Sequence, residues 1–262
     1  MNKKEHHILS LSGGKDSTAL AFFIKDNMPE LFKKIELVFA DTEYEIPETY
    51  DYLNKIEVFL NKKITRLKPQ RSFEHILLTN KFLPSHYRRW CTGLLKNQTF
   101  ERYIKNNYSN FEIYLYIGIR ADEAERAKAA NRKQILKEKF PFIENNINKQ
   151  DVENILVESG IGYPDYYKWR KRSGCYFCFY QSCNDWINLW ENHPDLYKKA
   201  MSFEFTNCKE IKSGRMGFNM HYSLEDMIKP ENIKKIKEEY KQLKEKQNKN
   251  KILKTGYLIN EF

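Results

Sequence analysis

Residues 12–17 read Ser-Gly-Gly-Lys-Asp-Ser and directly follow the short apolar run Ile8–Leu11. A helical pattern, Thr18–Asp26, begins immediately afterwards, so the hexapeptide joins a strand to a helix. Two glycines allow the backbone a sharp turn and a close approach to a ligand. Amide groups at the start of a helix attract anions, and Lys15 adds a positive charge. The stretch therefore predicts a phosphate-binding loop, although its spacing is not that of a Walker A motif.

Strand-like and helix-like segments alternate over the first 120 residues. The strand candidates are Ile8–Leu11, Ile35–Ala40, Ile64–Leu67 and Ile113–Ile117, and a helix pattern covers Ile46–Leu60. This alternation predicts an α/β fold in which helices flank a Rossmann-like parallel sheet. Gly13, Asp41 and Gly118 stand at the carboxyl ends of strand candidates, where such sheets bind their ligands. We therefore expect these three residues at one site.

The chain has 262 residues, of which 41% are hydrophobic, and this suits one elaborated domain or a domain with a smaller lobe. We predict a nucleotide-binding domain over residues 1–130 and a smaller helical lobe over 131–228 that carries a cysteine cluster. A basic helix and tail would cover 229–262. No apolar run approaches the length of a membrane span, so we expect a soluble, cytoplasmic protein without a membrane partner.

The net charge of +10 is concentrated near the end of the sequence. Residues 229–254 contain ten lysines and four glutamates, which gives +6. Such a run is typical of a solvated helix, and a basic arm on nucleic-acid phosphates is the alternative.

The five cysteines are Cys91, Cys175, Cys178, Cys183 and Cys208. The middle three fall on one short stretch, a spacing that suits a tetrahedral metal ion or one face of an iron–sulfur cube. A fourth ligand must come from elsewhere, and Cys91 is the natural candidate. Zinc shares the preference for thiolates, so zinc stays open as an alternative to a [4Fe–4S] cluster. We expect Cys208 to be an ordinary thiol.

Basic and aromatic side chains precede both cysteine segments. His86–Trp90 leads into Cys91, and Tyr166–Arg172 leads towards Cys175. Such patches suit a phosphate backbone whose bases stack on the aromatic rings, or a small anionic substrate. The alternative is that these side chains only surround a metal centre and donate hydrogen bonds to it.

The hexapeptide resembles the PP-loop of the ATP-pyrophosphatase superfamily. Phe39–Thr49 and Gly118–Arg126 resemble two further segments of the branch that is similar to phosphoadenosine-phosphosulfate reductases. Arg88–Lys96 resembles a segment of that branch that supplies a cluster cysteine. The resemblance implies an enzyme that cleaves ATP to AMP and pyrophosphate and adenylates an acceptor, with Mg²⁺ on the leaving pyrophosphate.

The same resemblance assigns roles to individual residues. Phosphate binding falls to Ser12, Gly13, Gly14, Lys15, Asp16 and Ser17, with Lys15 and Asp16 as the catalytic pair; Asp41, Gly118 and Arg120 would contribute to nucleotide binding. Arg126 is either a second phosphate ligand or a member of a surface ion pair. The cluster ligands would be Cys91, Cys175, Cys178 and Cys183.

With its three clustered cysteines the chain is similar to the ATP-pyrophosphatase component of DNA phosphorothioation systems. This implies ATP-dependent sulfur transfer onto DNA, with a cysteine desulfurase as the sulfur donor. Other subunits of the modification system would be its partners, and the chain itself could form a homodimer. Reduction of adenylyl sulfate, thiolation of transfer RNA and a non-catalytic nucleic-acid-binding role are the alternatives. The family's reductases use a cysteine near the C-terminus, and no cysteine follows Cys208 here, which favours sulfur transfer.

Overall fold

The structure is a computed structural model of the chain. It describes residues 4–128, 136–208 and 217–259, and the side chains over 4–127, 136–204 and 217–246. The chain forms two compact units, Met1–Asn80 with Tyr87–Tyr176, and Lys81–His86 with Phe177–Phe262. The domain boundaries given above stay predictions. In the part of the chain that the structure describes, no helix is both long and apolar enough to cross a membrane.

The first unit is built on a five-stranded sheet in which every neighbouring pair of strands is parallel. Its strands are β1 (Lys4–Leu11), β2 (Glu36–Ala40), β3 (Ile64–Leu67), β4 (Phe111–Tyr116) and β5 (Leu136–Lys139), in the order β3-β2-β1-β4-β5. The chain winds outward from β1 to β3 and then returns to place β4 on the other side of β1. The carboxyl ends of β1 and β4 therefore flank the point where the winding reverses, which is where such sheets bind ligands.

Helices pack on both faces of the sheet. They are α1 (Lys15–Asn27), α2 (Pro29–Lys34), α3 (Pro47–Leu60), α4 (Phe73–Asn80), α5 (Gln98–Tyr108), α6 (Glu125–Lys128), α7 (Pro141–Glu144) and α8 (Lys149–Glu158), with a π-helical segment over Thr92–Asn97. Leu9 belongs to the larger core with residues of α1, α3 and α8, whereas Ile8 belongs to a second cluster with Ile104 of α5. Adjacent side chains of a strand point to opposite faces, so β1 is buried on both sides.

The α/β prediction is confirmed, and four of the five strands overlap the strand candidates of the sequence. Asn148 caps the start of helix α8, and its side chain accepts from the backbone N–H groups of Gln150 and Asp151. Strand β5 was not predicted. Its sequence, Leu-Lys-Glu-Lys, is short and charged, as edge strands often are, and carries little apolar signal.

The second unit is helical over its described residues. Its helices are α9 (Cys183–Asn192), α10 (Pro194–Cys208), α11 (Leu224–Met227) and α12 (Pro230–Ile259). Trp186 and Leu189 of α9 are fully buried and lie three residues apart, on one face of the helix. Ser182 begins α9 with a reciprocal capping box to Asp185. Helix α12 lies within the basic helix and tail that the sequence predicts over residues 229–262.

Candidate nucleotide site

The glycine loop between β1 and α1 leaves no space for side chains at its two glycines. Gly13 has a φ of +68°, which glycine adopts without strain. A Cβ at Gly13 would lie 2.7 Å from Thr49 Cγ2, and a Cβ at Gly14 would lie 2.7 Å from Ser173 Oγ. Gly13 is therefore favoured by both the turn and the packing, and Gly14 by the packing alone.

The two serines of the loop hold its shape from inside. Ser17 Oγ accepts from Ser12 N at 3.0 Å and lies 3.1 Å from Ser12 Oγ. Ser12 Oγ also accepts from Gly14 N at 3.3 Å, and Ser17 Oγ is within 3.2 Å of the Gly14 carbonyl. Both hydroxyls thus bond to the loop itself, while their predicted role as phosphate ligands stays a prediction.

Helix α1 begins immediately after the loop with no side-chain cap. Gly14 is its N-cap residue and has no side chain with which to cap the helix. The first amide groups of any helix lack partners within the helix, and the helix dipole adds positive potential there. The start of this 13-residue helix, at the reversal point of the sheet, is therefore suited to bind an anion.

Lys15 and Arg120 converge on the carboxylate of Asp16. Lys15 Nζ lies 2.7 Å and Arg120 Nη1 lies 2.8 Å from Asp16 Oδ1. The other nitrogens of Arg120 donate to Asp122 and Glu123 at 2.8 to 3.0 Å. Hydrogen bonding to Asp122 raises the pKa of Arg120, and Arg120 in turn lowers the pKa of Asp122.

The guanidinium group of Arg120 is nearly buried and bonds carboxylates through all three of its nitrogens. In this structure Arg120 therefore holds Asp16 in place, and the phosphate contact predicted for it stays a prediction. Arg126 is exposed and forms an ion pair with Glu123. This contact matches the surface ion pair that we gave as the alternative for Arg126.

Gly118 lets the end of β4 approach the first turn of α1. A Cβ at Gly118 would lie 2.9 Å from the Asp16 carbonyl oxygen and 3.1 Å from Ser17 Cα. Both are backbone atoms, so any side chain at position 118 would displace either the glycine loop or the end of β4. Gly118 thus belongs to the site through packing.

Asp41 is buried at the end of β2, where it stabilises the turn that follows. Its Oδ1 accepts from Glu43 N and from the hydroxyl of Tyr50, both at 2.8 Å. Burial and the bond to Asp41 raise the pKa of Tyr50. The structure therefore gives Asp41 a role in the turn, and its contact with ribose or adenine stays a prediction.

Tyr166 and Tyr167 contact the glycine loop, which the sequence did not predict. The hydroxyl of Tyr166 donates to the Gly13 carbonyl at 2.7 Å, and Lys15 N lies 3.5 Å from the hydroxyl of Tyr167. The Tyr166 side chain is fully buried, and burial raises its pKa. A buried tyrosine must find a partner for its hydroxyl, but 153 positions separate Tyr166 from Gly13 and no local pattern links them.

Cys91 and Cys175 are the two predicted metal ligands in the first unit. Cys175 Sγ lies 3.1 Å from Thr42 Oγ1 and 3.8 Å from Glu45 Oε1. Glu45 is buried, and its Oε2 has no hydrogen-bond partner among the described residues. Trp90, directly before Cys91, stacks on Phe73 of α4 with ring centroids 5.1 Å apart.

Cys178 and Cys183 lie in the second unit. Asn219 Nδ2 lies 3.3 Å from Cys183 Sγ, and burial raises the pKa of the Cys183 thiol. All four cysteines are half-buried thiols, the donor type that a [4Fe–4S] cluster takes. Within the described side chains, no three His, Cys, Asp or Glu residues are grouped so as to hold a metal ion. The ligand set therefore stays a prediction, and the side chain of Cys208 lies outside the described residues.

The basic and aromatic segments divide between surface and interior. His86, Tyr87, Arg88 and Arg89 are exposed, and Tyr87 is 84% exposed. In the second segment Tyr166 and Arg170 are buried, whereas Lys168, Lys171 and Arg172 are exposed. Tyr166 and Arg170 are therefore structural, and only the exposed members are available to a nucleic acid.

A parallel sheet with a glycine loop at its reversal point is the arrangement that α/β proteins commonly use to bind nucleotides. More narrowly, the model of the phosphoadenosine phosphosulfate reductase domain matches residues 6–180. The match covers more than half of the chain, which therefore belongs to the phosphoadenosine phosphosulfate reductase domain family. The predicted PP-loop relationship is confirmed, and the likeness to a phosphorothioation enzyme stays a prediction.

Two relatives come from Methanocaldococcus jannaschii. The protein MJ0973 is 26% identical over 200 residues, which cover 72% of this chain and 45% of that protein. The protein MJ0066 is 25% identical over 205 residues, which cover 75% of this chain and 41% of that protein. The chain thus spans less than half the length of these relatives.

Two solved structures share 17% sequence identity with this chain. One is phosphoadenylyl-sulfate (PAPS) reductase from Candida auris in a phosphate complex, with a TM-score of 0.49. The aligned region covers 65% of this chain and 81% of the reductase chain. The other is the U34-tRNA thiolase NcsA from Methanococcus maripaludis with its [4Fe-4S] cluster, with a TM-score of 0.44. The aligned region covers 80% of this chain and 74% of the thiolase chain.

Proposed function

We propose that the chain catalyses ATP-dependent sulfur transfer. It cleaves ATP to AMP and pyrophosphate by transferring the adenylyl group to an acceptor oxygen, and a sulfur nucleophile then displaces AMP together with that oxygen. The observation that carries this proposal is the intact glycine loop at the uncapped start of α1. Oriented amide groups at fixed positions can stabilise the charge that develops on a leaving pyrophosphate.

The charges of the site favour Mg²⁺ as a cofactor of the ATP. Asp16, Asp122 and Glu123 bring three carboxylates together around Arg120. A triphosphate that approaches them needs further positive charge, and Mg²⁺ commonly binds one or two carboxylates together with substrate phosphates. We propose Asp16 as the Mg²⁺ ligand and Lys15 as the point charge on the phosphates. Asp41, Gly118 and Arg120 complete the proposed nucleotide site.

We propose DNA as the acceptor and a [4Fe–4S] cluster as the cofactor, with zinc as the alternative metal. The exposed residues Tyr87, Arg88 and Arg89, close to Cys91 in the sequence, support a nucleic-acid contact. Four thiols in one chain support the cluster, which supplies a site for bound sulfur when it is present. A cysteine desulfurase would supply the sulfur, and other modification-system subunits would act with it.

The test is to incubate the chain with labelled ATP and, separately, with DNA, transfer RNA, sulfate and adenylyl sulfate, and to measure AMP and pyrophosphate. We expect release to depend on DNA, and we expect Lys15→Ala and Asp16→Ala each to lower it by about a hundredfold or more. Lys25→Ala is the matched control, because Lys25 lies in the last turn of the same helix, away from the glycine loop, and donates to the Phe59 carbonyl. Equal turnover in all three variants would contradict the assignment of the loop.

A second candidate, reduction of adenylyl sulfate to sulfite and AMP, is favoured by membership of the reductase domain family. This reaction needs two electrons from a dithiol donor, and it consumes no ATP. Sulfite release from adenylyl sulfate and a reduced dithiol protein, without pyrophosphate formation from ATP, would establish this function in place of sulfur transfer.

A further inference from the structure

Residues 163–174 pack against the glycine loop from a distant part of the sequence. This segment follows α8 and is anchored on α3, where the Tyr52 hydroxyl donates to the Gly162 carbonyl at 2.8 Å and Lys55 Nζ donates to the Ile161 carbonyl at 2.7 Å. The segment and the loop belong to the same compact unit. Their mutual contacts therefore define one side of the candidate nucleotide site.

The hydroxyl of Tyr167 lies beside the start of α1. Lys15 N donates to it at 3.5 Å, and its ring stacks on the buried ring of Tyr166 with centroids 4.9 Å apart. A hydroxyl can accept and donate at the same time, and none of the hydrogen bonds that Tyr167 forms with the described residues uses its own proton. Burial raises the pKa of Tyr167, and the charge of Asp16 adds to this effect, so the proton stays in place at neutral pH. Tyr167 is thus a hydrogen-bond donor at the anion site.

The hydroxyl of Ser173 lies beside the second glycine of the loop. A Cβ at Gly14 would lie 2.7 Å from Ser173 Oγ, so the glycine leaves room for this hydroxyl. Arg170 donates to the Gly174 carbonyl at 2.8 Å and holds the turn that carries Ser173. Ser173 is half-buried, and its hydroxyl forms no hydrogen bond with the described residues. Polar groups in such positions normally have a partner, which an oxygen of a ligand can supply.

The two hydroxyls complement the amide groups at the start of α1. Those amides contact an anion from the end of one helix, and a pyrophosphate group carries further oxygens that need donors. We propose that Tyr167 and Ser173 donate hydrogen bonds to the pyrophosphate part of bound ATP and so form a second side of its site. The inference rests on the ATP site of the proposed function, and it names two further residues that hold the phosphates.

The experiment measures the binding of inorganic pyrophosphate and of ATP, each with Mg²⁺, to the full chain by calorimetry. The variants are Tyr167→Phe and Ser173→Ala, each of which removes one hydroxyl. The matched controls are Tyr103→Phe and Ser159→Ala. Tyr103 donates to Glu36 at the amino end of β2, on the edge of the sheet opposite the loop, and Ser159 donates to a carbonyl of α8.

We expect Tyr167→Phe and Ser173→Ala each to weaken the binding of both ligands about tenfold, because a hydrogen bond to a charged group is stronger than one between neutral groups. The two controls should bind both ligands like the wild type. Circular dichroism of each variant checks that it is folded, so that a loss of affinity reports on the site.

Wild-type affinity for pyrophosphate in either Tyr167→Phe or Ser173→Ala would overturn the inference and leave the proposed function standing. An equal loss of affinity in the controls would overturn it as well. If Tyr167→Phe does not fold, Ser173→Ala decides the matter. A wild-type chain that binds neither pyrophosphate nor ATP would overturn the proposed ATP site and this inference together, and would be seen before any variant is made.

Discussion

Replacing Gly118 by alanine tests the packing that shapes the candidate site. The new Cβ would lie 2.9 Å from the Asp16 carbonyl oxygen, 3.0 Å from the Asp16 carbonyl carbon and 3.1 Å from Ser17 Cα. All three are backbone atoms in the first turn of α1, so no side chain can rotate out of the way. The strain is relieved only if the glycine loop moves or if the end of β4 moves.

Overpacking of this kind costs about 1–3 kcal/mol. If the loop moves, the anion site is distorted, and a loss of about 2 kcal/mol in binding corresponds to roughly thirtyfold weaker ATP affinity. If the end of β4 moves, the cost falls on stability, and the melting temperature drops by about 2–4 °C for each kcal/mol.

The assay is ATP binding by calorimetry together with thermal unfolding by circular dichroism. Gly93→Ala is the matched control, because a Cβ at Gly93 meets no atom within 4 Å and Gly93 lies in a helical segment, where alanine is favoured. We expect Gly118→Ala to lose affinity, stability or both, and Gly93→Ala to lose neither. If the two variants match in both measurements, the close approach of Gly118 to α1 is wrong.

Three further predictions concern buried polar groups. Tyr166→Phe leaves the Gly13 carbonyl without its 2.7 Å bond and should weaken ATP binding about three- to tenfold, by about 1 kcal/mol, whereas Tyr197→Phe, which loses an equal bond to Leu224, should not affect it. Burial opposes ionisation of Glu36, but hydrogen bonds from Thr65, Tyr103 and His6 outweigh it and lower the pKa of Glu36. Glu36→Gln should therefore cost about 2 kcal/mol in urea unfolding at neutral pH, and the cost should shrink as the pH falls below the ordinary value of 4.5, while ATP binding is unchanged. Burial raises the pKa of Glu204 to about 7, so the folded state binds its proton more tightly, and the free energy of unfolding should fall by up to ~3 kcal/mol as the pH rises from 4.5 to 7. The Phe218 and Leu224 amides donate to Glu204, so their protection from hydrogen exchange, corrected for intrinsic rates, should fall over the same pH range. Glu204→Gln should abolish this pH dependence.

The glycine loop and the sheet were predictable because their signals are local. The residues of a phosphate loop are consecutive, and buried parallel strands are continuous apolar runs, as in Leu37–Ala40 of β2. The start of α8 has an equally local signal, because the side chain of Asn148 accepts from the backbone N–H groups two and three residues later. In each case the residues that decide the structure are near neighbours in the sequence.

The remaining features depend on distant partners. In the sequence Arg170 stands in a basic run, which is typical of exposed residues. In the fold it is buried and donates to the Gly174 and Cys175 carbonyls. Arg120 likewise suits a phosphate ligand by its place after β4, and only the tertiary structure brings Asp16 to it across 104 positions. Packing decides whether a polar side chain faces a ligand or bonds to another side chain. A single sequence does not show that packing.

The central claim is that this site cleaves ATP between its α- and β-phosphates. The most direct measurement is to incubate the iron-loaded chain with DNA, a sulfur donor and ATP labelled in the α-phosphate, and to separate the nucleotide products. We predict labelled AMP and an equal amount of pyrophosphate, both lost in Lys15→Ala. Labelled ADP with inorganic phosphate, or AMP at the same rate in Lys15→Ala, would contradict the account.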